Sequence, residues 1–161
     1  MKQRDIKLYV DLVQRIAEQS RARRLKVGAL LVTIDDVLIM GYNGTPAGWD
    51  NNCEDEVVEV VKETSYGDVL ERVLRTRDEV VHAEMNVYRK AANSQNSIKG
   101  GTLFLTHPPC QHCAKLYLST GLKEVIYVND YISSSSNTNL GLELLQRDGI
   151  KVTKWNENAE V

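Results

Sequence analysis

His82-Ala83-Glu84 and Pro109-Cys110-Gln111-His112-Cys113 are the residues whose types and spacing can do chemistry. The first run offers an imidazole and a carboxylate two positions apart. The second offers two thiols three positions apart, behind a proline. His82, Cys110 and Cys113 supply three ligands for Zn²⁺, and three protein ligands leave the fourth tetrahedral position open to water, as in catalytic rather than structural sites. Zinc acidifies such a water, and Glu84, which is not needed as a ligand, can move its protons. A competing set is present. His107 and His112 lie close to the two cysteines and would complete with them a closed structural site without chemistry, leaving His82 and Glu84 unexplained. His112, between the thiols, is expected to point away from the metal, and Cys53 reads as an inert small residue.

These groups need elements to hold them. Pro108-Pro109 ends a strand at residues 102–106, because proline has no amide to donate. Pro109 then opens a helix at 110–119, so both thiols sit at a helix N-terminus, where the dipole favours thiolates. Residues 83–92 read as a second helix. Upstream, Ile6, Tyr9, Val10, Val13 and Ile16 recur at helical spacing and predict a helix over 5–20. A basic turn, 21–26, leads to β-branched runs at 27–33 and 37–42 joined by Asp35-Asp36, a hairpin pattern. Residues 41–50 form a Gly/Pro/Asn loop. In the acidic, valine-rich stretch 54–80, Val57, Val60 and Val61, then Val69, Leu70 and Val73, suggest one or two helices broken near Ser65-Tyr66-Gly67. A strand at 123–128, a flexible loop at 133–136, a helix at 139–146 and a last strand at 151–154 complete the chain. Strands alternating with helices in the C-terminal half imply parallel pairing and an α/β fold of two or three layers.

The 161 residues suit one domain, 1–161, with a full core. A formal net charge of −2 gives no electrostatic footprint for nucleic acid. No apolar run approaches the roughly 20 residues that span a bilayer, and the N-terminus lacks a signal-peptide core, so a cytoplasmic protein with no membrane partner is expected. Three cysteines, an odd count with one close pair, argue for metal and a reducing compartment over disulfides.

Taken together, Gly41-Tyr42-Asn43-Gly44-Thr45-Pro46, His82-Ala83-Glu84-Met85-Asn86 and Pro109-Cys110-Gln111-His112-Cys113-Ala114-Lys115 resemble the deoxycytidylate (dCMP) deaminases of the cytidine deaminase superfamily. H-x-E with P-C-x-x-C is the signature of zinc-dependent nucleobase deaminases. The G-Y-N-G-x-P loop points to the deoxycytidylate branch, and the likeness runs from about residue 26 to 150. It implies a three-layer fold with a five-stranded mixed sheet flanked by helices, an oligomer, often a hexamer, and hydrolysis of dCMP to dUMP and ammonia. It implies that His82, Cys110 and Cys113 bind zinc and that Glu84 shuttles protons to ring N3 and the departing ammonia. It also implies that Asn43 bonds the sugar, that the Ala83 amide meets the pyrimidine, and that Tyr131 contacts the nucleotide. Activation by dCTP and inhibition by dTTP, with Mg²⁺ on the triphosphate, would involve Gly41, Tyr42, Asn43, Gly44, Tyr88, Arg89, Lys90 and Asn93. Some relatives carry arginine where Asn93 stands. A second zinc, held by some relatives ahead of H-A-E, is not expected, because 54–81 contains no cysteine or histidine.

Other assignments come from charge and placement alone. A 5′-phosphate needs a cation or amide donors, and Lys26 and Arg24 are candidates, although they read equally well as a solvated basic turn. Asn43-Gly44 also reads as a turn dipeptide. Alternative functions are deamination of dCTP, of a modified dCMP or of a free nucleoside, and a non-enzymatic zinc- and nucleotide-binding module. The missing basic surface argues against tRNA.

Overall fold

The computed structural model describes residues 2–64, 67–131 and 138–157. In chain order the elements are α1 (Gln3–Ala17), β1 (Gly28–Val32), β2 (Leu38–Tyr42), β3 (Glu54–Thr64), β4 (Gly67–Thr76), α2 (Ala83–Ala92), β5 (Thr102–Leu105), α3 (Gln111–Tyr117), β6 (Glu124–Tyr127), α4 (Thr138–Arg147) and β7 (Lys151–Lys154). Five strands form one sheet in the order β2-β1-β5-β6-β7. β1 runs antiparallel to β2 and β5, while β5, β6 and β7 are parallel. The expected loop at 133–136 lies outside the described residues.

The sheet is sandwiched because its central strands are apolar on both sides. Leu30, Val32, Phe104 and Ile126 face α1 and meet Val10, Val13 and Ile16, the helical stripe read from the sequence. Ala29, Leu31, Leu103, Leu105 and Val125 face the other way, where Ala83, Val87, Ala114, Tyr117 and Leu145 of α2, α3 and α4 close over them. The result is the expected three-layer α/β fold with a mixed five-stranded sheet.

Two glycines mark where elements meet backbone to backbone. A Cβ on Gly41 would lie 2.5 Å from the Ala83 carbonyl oxygen and 3.0 Å from the Val87 amide nitrogen, so α2 sits directly on β2. A Cβ on Gly141 would lie 2.2 Å from the Pro109 carbonyl oxygen, so α4 is pressed against the turn that carries the first thiol.

The stretch 54–80 corrects the helical reading. It is a two-stranded antiparallel hairpin, β3 with β4, in a sheet of its own. Val57 pairs with Val73 and Val60 with Leu70 across the ladder, with an irregularity between Val60 and Lys62. The valines that fit a helical repeat also fit cross-strand pairs, and β-branched side chains pack well on a pleated surface.

Candidate functional site

The site is built where α2 and α3 begin. His82 is the N-cap of α2, in extended conformation, and Cys110 is the N-cap of α3. The Cys110 sulfur accepts the Cys113 amide at 3.5 Å, using an N–H that the first helical turn leaves free. The His82 Nδ1 lies 3.8 Å from the Cys110 Sγ and 3.4 Å from the Cys113 Sγ. The three ligand atoms all fall within 4.8 Å of one another.

Charge follows geometry. The Cys110 thiol is pulled down to about 3, first by the Cys113 thiol that donates to it, then by His82. Cys113 is pushed strongly upward, because it donates to Cys110 and is buried. His82 is raised by its bond to Cys110, against the opposing effect of burial. The thiol pair thus holds one negative charge readily and resists a second, which a cation would stabilise. Zn–N near 2.0 Å and Zn–S near 2.3 Å in a tetrahedron require N···S separations of about 3.5 Å. The two observed separations bracket that value, so the donor set fits zinc.

Glu84 follows His82 by two residues, in the first turn of α2. Only 4% of it is exposed. Burial pushes its carboxyl up to about 7, opposed by the adjacent His82 and by its own backbone amide. The Tyr117 hydroxyl donates to the Glu84 carbonyl at 2.8 Å and pins the start of α2 to α3. Among the described residues, the metal-competent group is His82, Cys110 and Cys113. His107 stands apart from it. Its Nδ1 lies 3.1 Å from the Thr106 hydroxyl, and its ring meets Tyr131 edge-on with centroids 5.9 Å apart. His112 is exposed beside Gln111.

One cavity of about 770 Å³ joins these groups. His82, Glu84 and Cys110 line it together with Asn43, Tyr131, His107 and Arg24. Asn43 is tied into the backbone around it: its Oδ1 accepts the Val27 amide at 2.8 Å, and its Nδ2 donates to the Leu25 carbonyl at 2.9 Å. An amide group has two donors and two lone pairs, so one of each remains for a ligand. An antiparallel bridge between Gly44 and Val81 draws this loop against the segment that carries His82. Ala83 is fully buried at the start of α2, a helix with no side-chain cap, whose first amides lack intrahelical partners.

Lys26 does not line this cavity. It borders a second, separate depression with Glu18 and Arg21, and its Nζ lies 3.5 Å from the Glu18 carbonyl oxygen. The residues expected at an effector site divide. Gly41 and Tyr42 lie on β2 beneath α2, where Lys90 donates to the Met40 carbonyl at 2.7 Å and Arg89 is exposed. Tyr88 is half-buried against Tyr117, and Asn93 caps α2 and donates to the Arg89 carbonyl. Asn43 belongs to the cavity, and Gly44 to the bridge beside it. The sequence reading missed a third wall: Glu59, Val73, Leu74, Arg75 and Thr76 of the hairpin all line the cavity.

The sequence profile described as the cytidine and deoxycytidylate deaminase zinc-binding region matches residues 3–129, which include all three candidate ligands and Glu84. The chain belongs to the cytidine and deoxycytidylate deaminase family. It is an enzyme, a hydrolytic deaminase. The deoxycytidylate deaminase of Mus musculus is 31% identical over 143 residues, covering 86% of this chain and 72% of the mouse protein. That of Enterobacteria phage T4 is 26% identical over 162 residues, covering 85% and 82%. The dCMP deaminase of cyanophage S-TIM5, solved in complex with dCMP and dUMP, superimposes with a TM-score of 0.76 at 33% identity, covering 96% of this chain and 99% of that one. No helix among the described residues is long and apolar enough to cross a membrane.

Proposed function

We propose that the chain hydrolyses dCMP to dUMP and ammonia, supplying dUMP for thymidylate synthesis. The observation that carries this reading is the single cavity onto which His82, Cys110, the buried Glu84, Asn43 and Tyr131 all open. The names of its relatives support the choice of substrate. Zinc held by His82, Cys110 and Cys113 would supply an acidified water as nucleophile for ring C4. Glu84 would take a first proton from that water and deliver it to N3, then take a second from the new C4 hydroxyl and pass it to the 4-amino group as the C4–N bond breaks and ammonia leaves. A carboxyl titrating near neutrality serves both directions of transfer. The Ala83 amide faces the pyrimidine, the remaining donor of Asn43 meets the sugar, and Tyr131, braced by His107, borders the nucleotide. Of the two cations considered for the phosphate, Arg24 lines the cavity and Lys26 does not.

Regulation by dCTP as activator and dTTP as inhibitor, with Mg²⁺ on the triphosphate, is part of the proposal and rests on the family resemblance. β2 and α2 bring Lys90 to the Met40 carbonyl and Asn86 to the Tyr42 carbonyl. A homo-oligomer, taken as a hexamer, is supported by the apolar face of the β3–β4 hairpin. A cytoplasmic location suits thiols that must stay reduced to hold a metal.

The test is loss of cytosine absorbance from dCMP, dCTP, deoxycytidine and cytidine, with dCTP or dTTP plus Mg²⁺ as separate effectors. Selective turnover of dCMP that either triphosphate modulates is the expected result. Turnover of another compound in preference replaces the substrate, and silence across the panel with zinc bound overturns the reading.

A further inference from the structure

We infer that Tyr117 is a positioning residue for the site: the hydrogen bond from its hydroxyl to the Glu84 carbonyl sets the register of α2 against α3, and so keeps Glu84 and His82 in place against Cys110 and Cys113. This rests on the deaminase reading above and adds a residue that is neither among the ligands nor in the cavity wall.

Tyr117 is 1% exposed and belongs to the apolar cluster that includes Ala83, Val87 and Ala114. A hydroxyl in such surroundings is costly unless it is bonded. Its partner is the main chain of Glu84 itself, at 2.8 Å. In an α-helix that carbonyl accepts the Tyr88 amide and keeps a second lone pair, which the phenol takes. Burial, and then the neighbouring Glu84 charge, raise the hydroxyl well above its ordinary titration range, so it remains a donor.

The contact has two halves on each helix. Cys113 and Tyr117 lie four residues apart on α3, and Glu84 and Tyr88 lie four apart on α2. Residues four apart share a helix face. The Tyr88 and Tyr117 rings meet edge-on, with centroids 5.8 Å apart and planes at 82°. One face of each helix thus carries a group of the site and, a turn further on, one half of the contact. The main chain of Tyr117 is held in turn by the Thr120 hydroxyl, which donates to its carbonyl at 2.6 Å. Apolar packing brings two helices together but has no direction. The hydrogen bond does, and it acts about one turn from the place where His82 Nδ1 and Cys113 Sγ stand 3.4 Å apart.

The test compares Tyr117→Phe, which keeps the ring and removes the donor, with Thr33→Val. Thr33 is 5% exposed, and its hydroxyl accepts the Val37 amide at 3.0 Å in the turn after β1. Three quantities are measured: retention of zinc by the loaded protein against a chromophoric chelator, turnover of dCMP, and the urea midpoint. Tyr117→Phe should weaken zinc by about 10-fold. It should lower kcat for dCMP by about 10-fold while KM stays within about twofold. Thr33→Val should lower the urea midpoint at least as far and leave zinc retention and kcat unchanged, which separates positioning from loss of stability. A fall in zinc retention or kcat confined to Tyr117→Phe supports the inference. Unchanged zinc retention and kcat in Tyr117→Phe, or equal losses in the two variants, overturn it while the deaminase reading stands. A wild type that holds zinc but leaves dCMP intact overturns the deaminase reading, and the zinc measurement still decides the role of Tyr117.

Discussion

Glu84 carries two opposed demands at the scale of a single residue. Catalysis as proposed needs its carboxylate beside the metal's water, whereas the fold buries it and lifts its titration to about 7, from an ordinary 4.5. A folded-state value above the unfolded one means that the fold favours the neutral form. That stabilisation is present in full below the ordinary value and is lost as pH rises through about 7. Glu84→Gln keeps the shape and removes the ionisation. In protein stripped of metal by a chelator, the variant should gain stability relative to wild type between pH 5 and pH 8, by up to about 3 kcal/mol, seen as a higher urea midpoint. The same variant should retain one zinc per chain by metal analysis, since Glu84 is not among the ligand trio, and lose roughly 10²–10⁴-fold in kcat. Loss of zinc together with activity would instead make Glu84 a ligand. The zinc trio and Glu84 were legible because each type is rare here and their order carries meaning: three histidines and three cysteines leave few alternatives. Lys26 and Arg24 could not be told apart that way. They lie two residues apart in an irregular turn, and Arg24 is placed by Glu54, thirty residues away, whereas Lys26 meets the Glu18 carbonyl.

Elements were readable where a local rule fixes them. The stripe of α1, the double proline that stops β5 and starts α3, and the acidic turn of the β1–β2 hairpin all act within a few residues. Asp36, in that turn, has a φ of 59°, the left-handed conformation that aspartate tolerates. The β3–β4 hairpin escaped because its valines satisfy a helical repeat and a cross-strand ladder at once, and only the pairing partner decides between them. With the hairpin went one wall of the cavity, Arg75 included. Its base is an electrostatic joint. The buried Glu54 carboxylate collects the amides of Arg23 and Arg24, and the Arg23 guanidinium lies 3.8 Å away. Glu54→Ala leaves two amides without their acceptor and should destabilise by about 1–3 kcal/mol in urea unfolding. It should also raise KM for dCMP, because Arg24 loses its anchor, whereas Glu56→Ala, which removes an exposed partner of Arg23, should do neither.

In the whole molecule, the hairpin is the part that its own chain does not complete. A two-stranded ribbon is marginal in water, and β3 and β4 pack chiefly on each other. Along one face run Val58, Val60 and Leu70, exposed to 62%, 49% and 60%. The β2 edge of the main sheet is less available for pairing: Lys90 and Asn86 donate to the Met40 and Tyr42 carbonyls and occupy groups that strand addition would use. Charge points to the partner. Residues 54–76 carry seven acidic and three basic side chains, while residues 2–26 carry eight basic and three acidic. A second copy therefore offers the hairpin an oppositely charged surface, and burying the valine face between copies would give the ribbon the second layer that it lacks. Val58→Glu with Leu70→Glu places two carboxylates on that face without touching the zinc ligands. Sedimentation should show the assembly of the wild type reduced to smaller species, with zinc content unchanged. If the hairpin is steadied by that contact, KM for dCMP should rise in step, because Val73, Leu74 and Thr76 of the same ribbon line the cavity. An assembly of unchanged mass in the double variant would mean that copies meet elsewhere and that the hairpin stands without them.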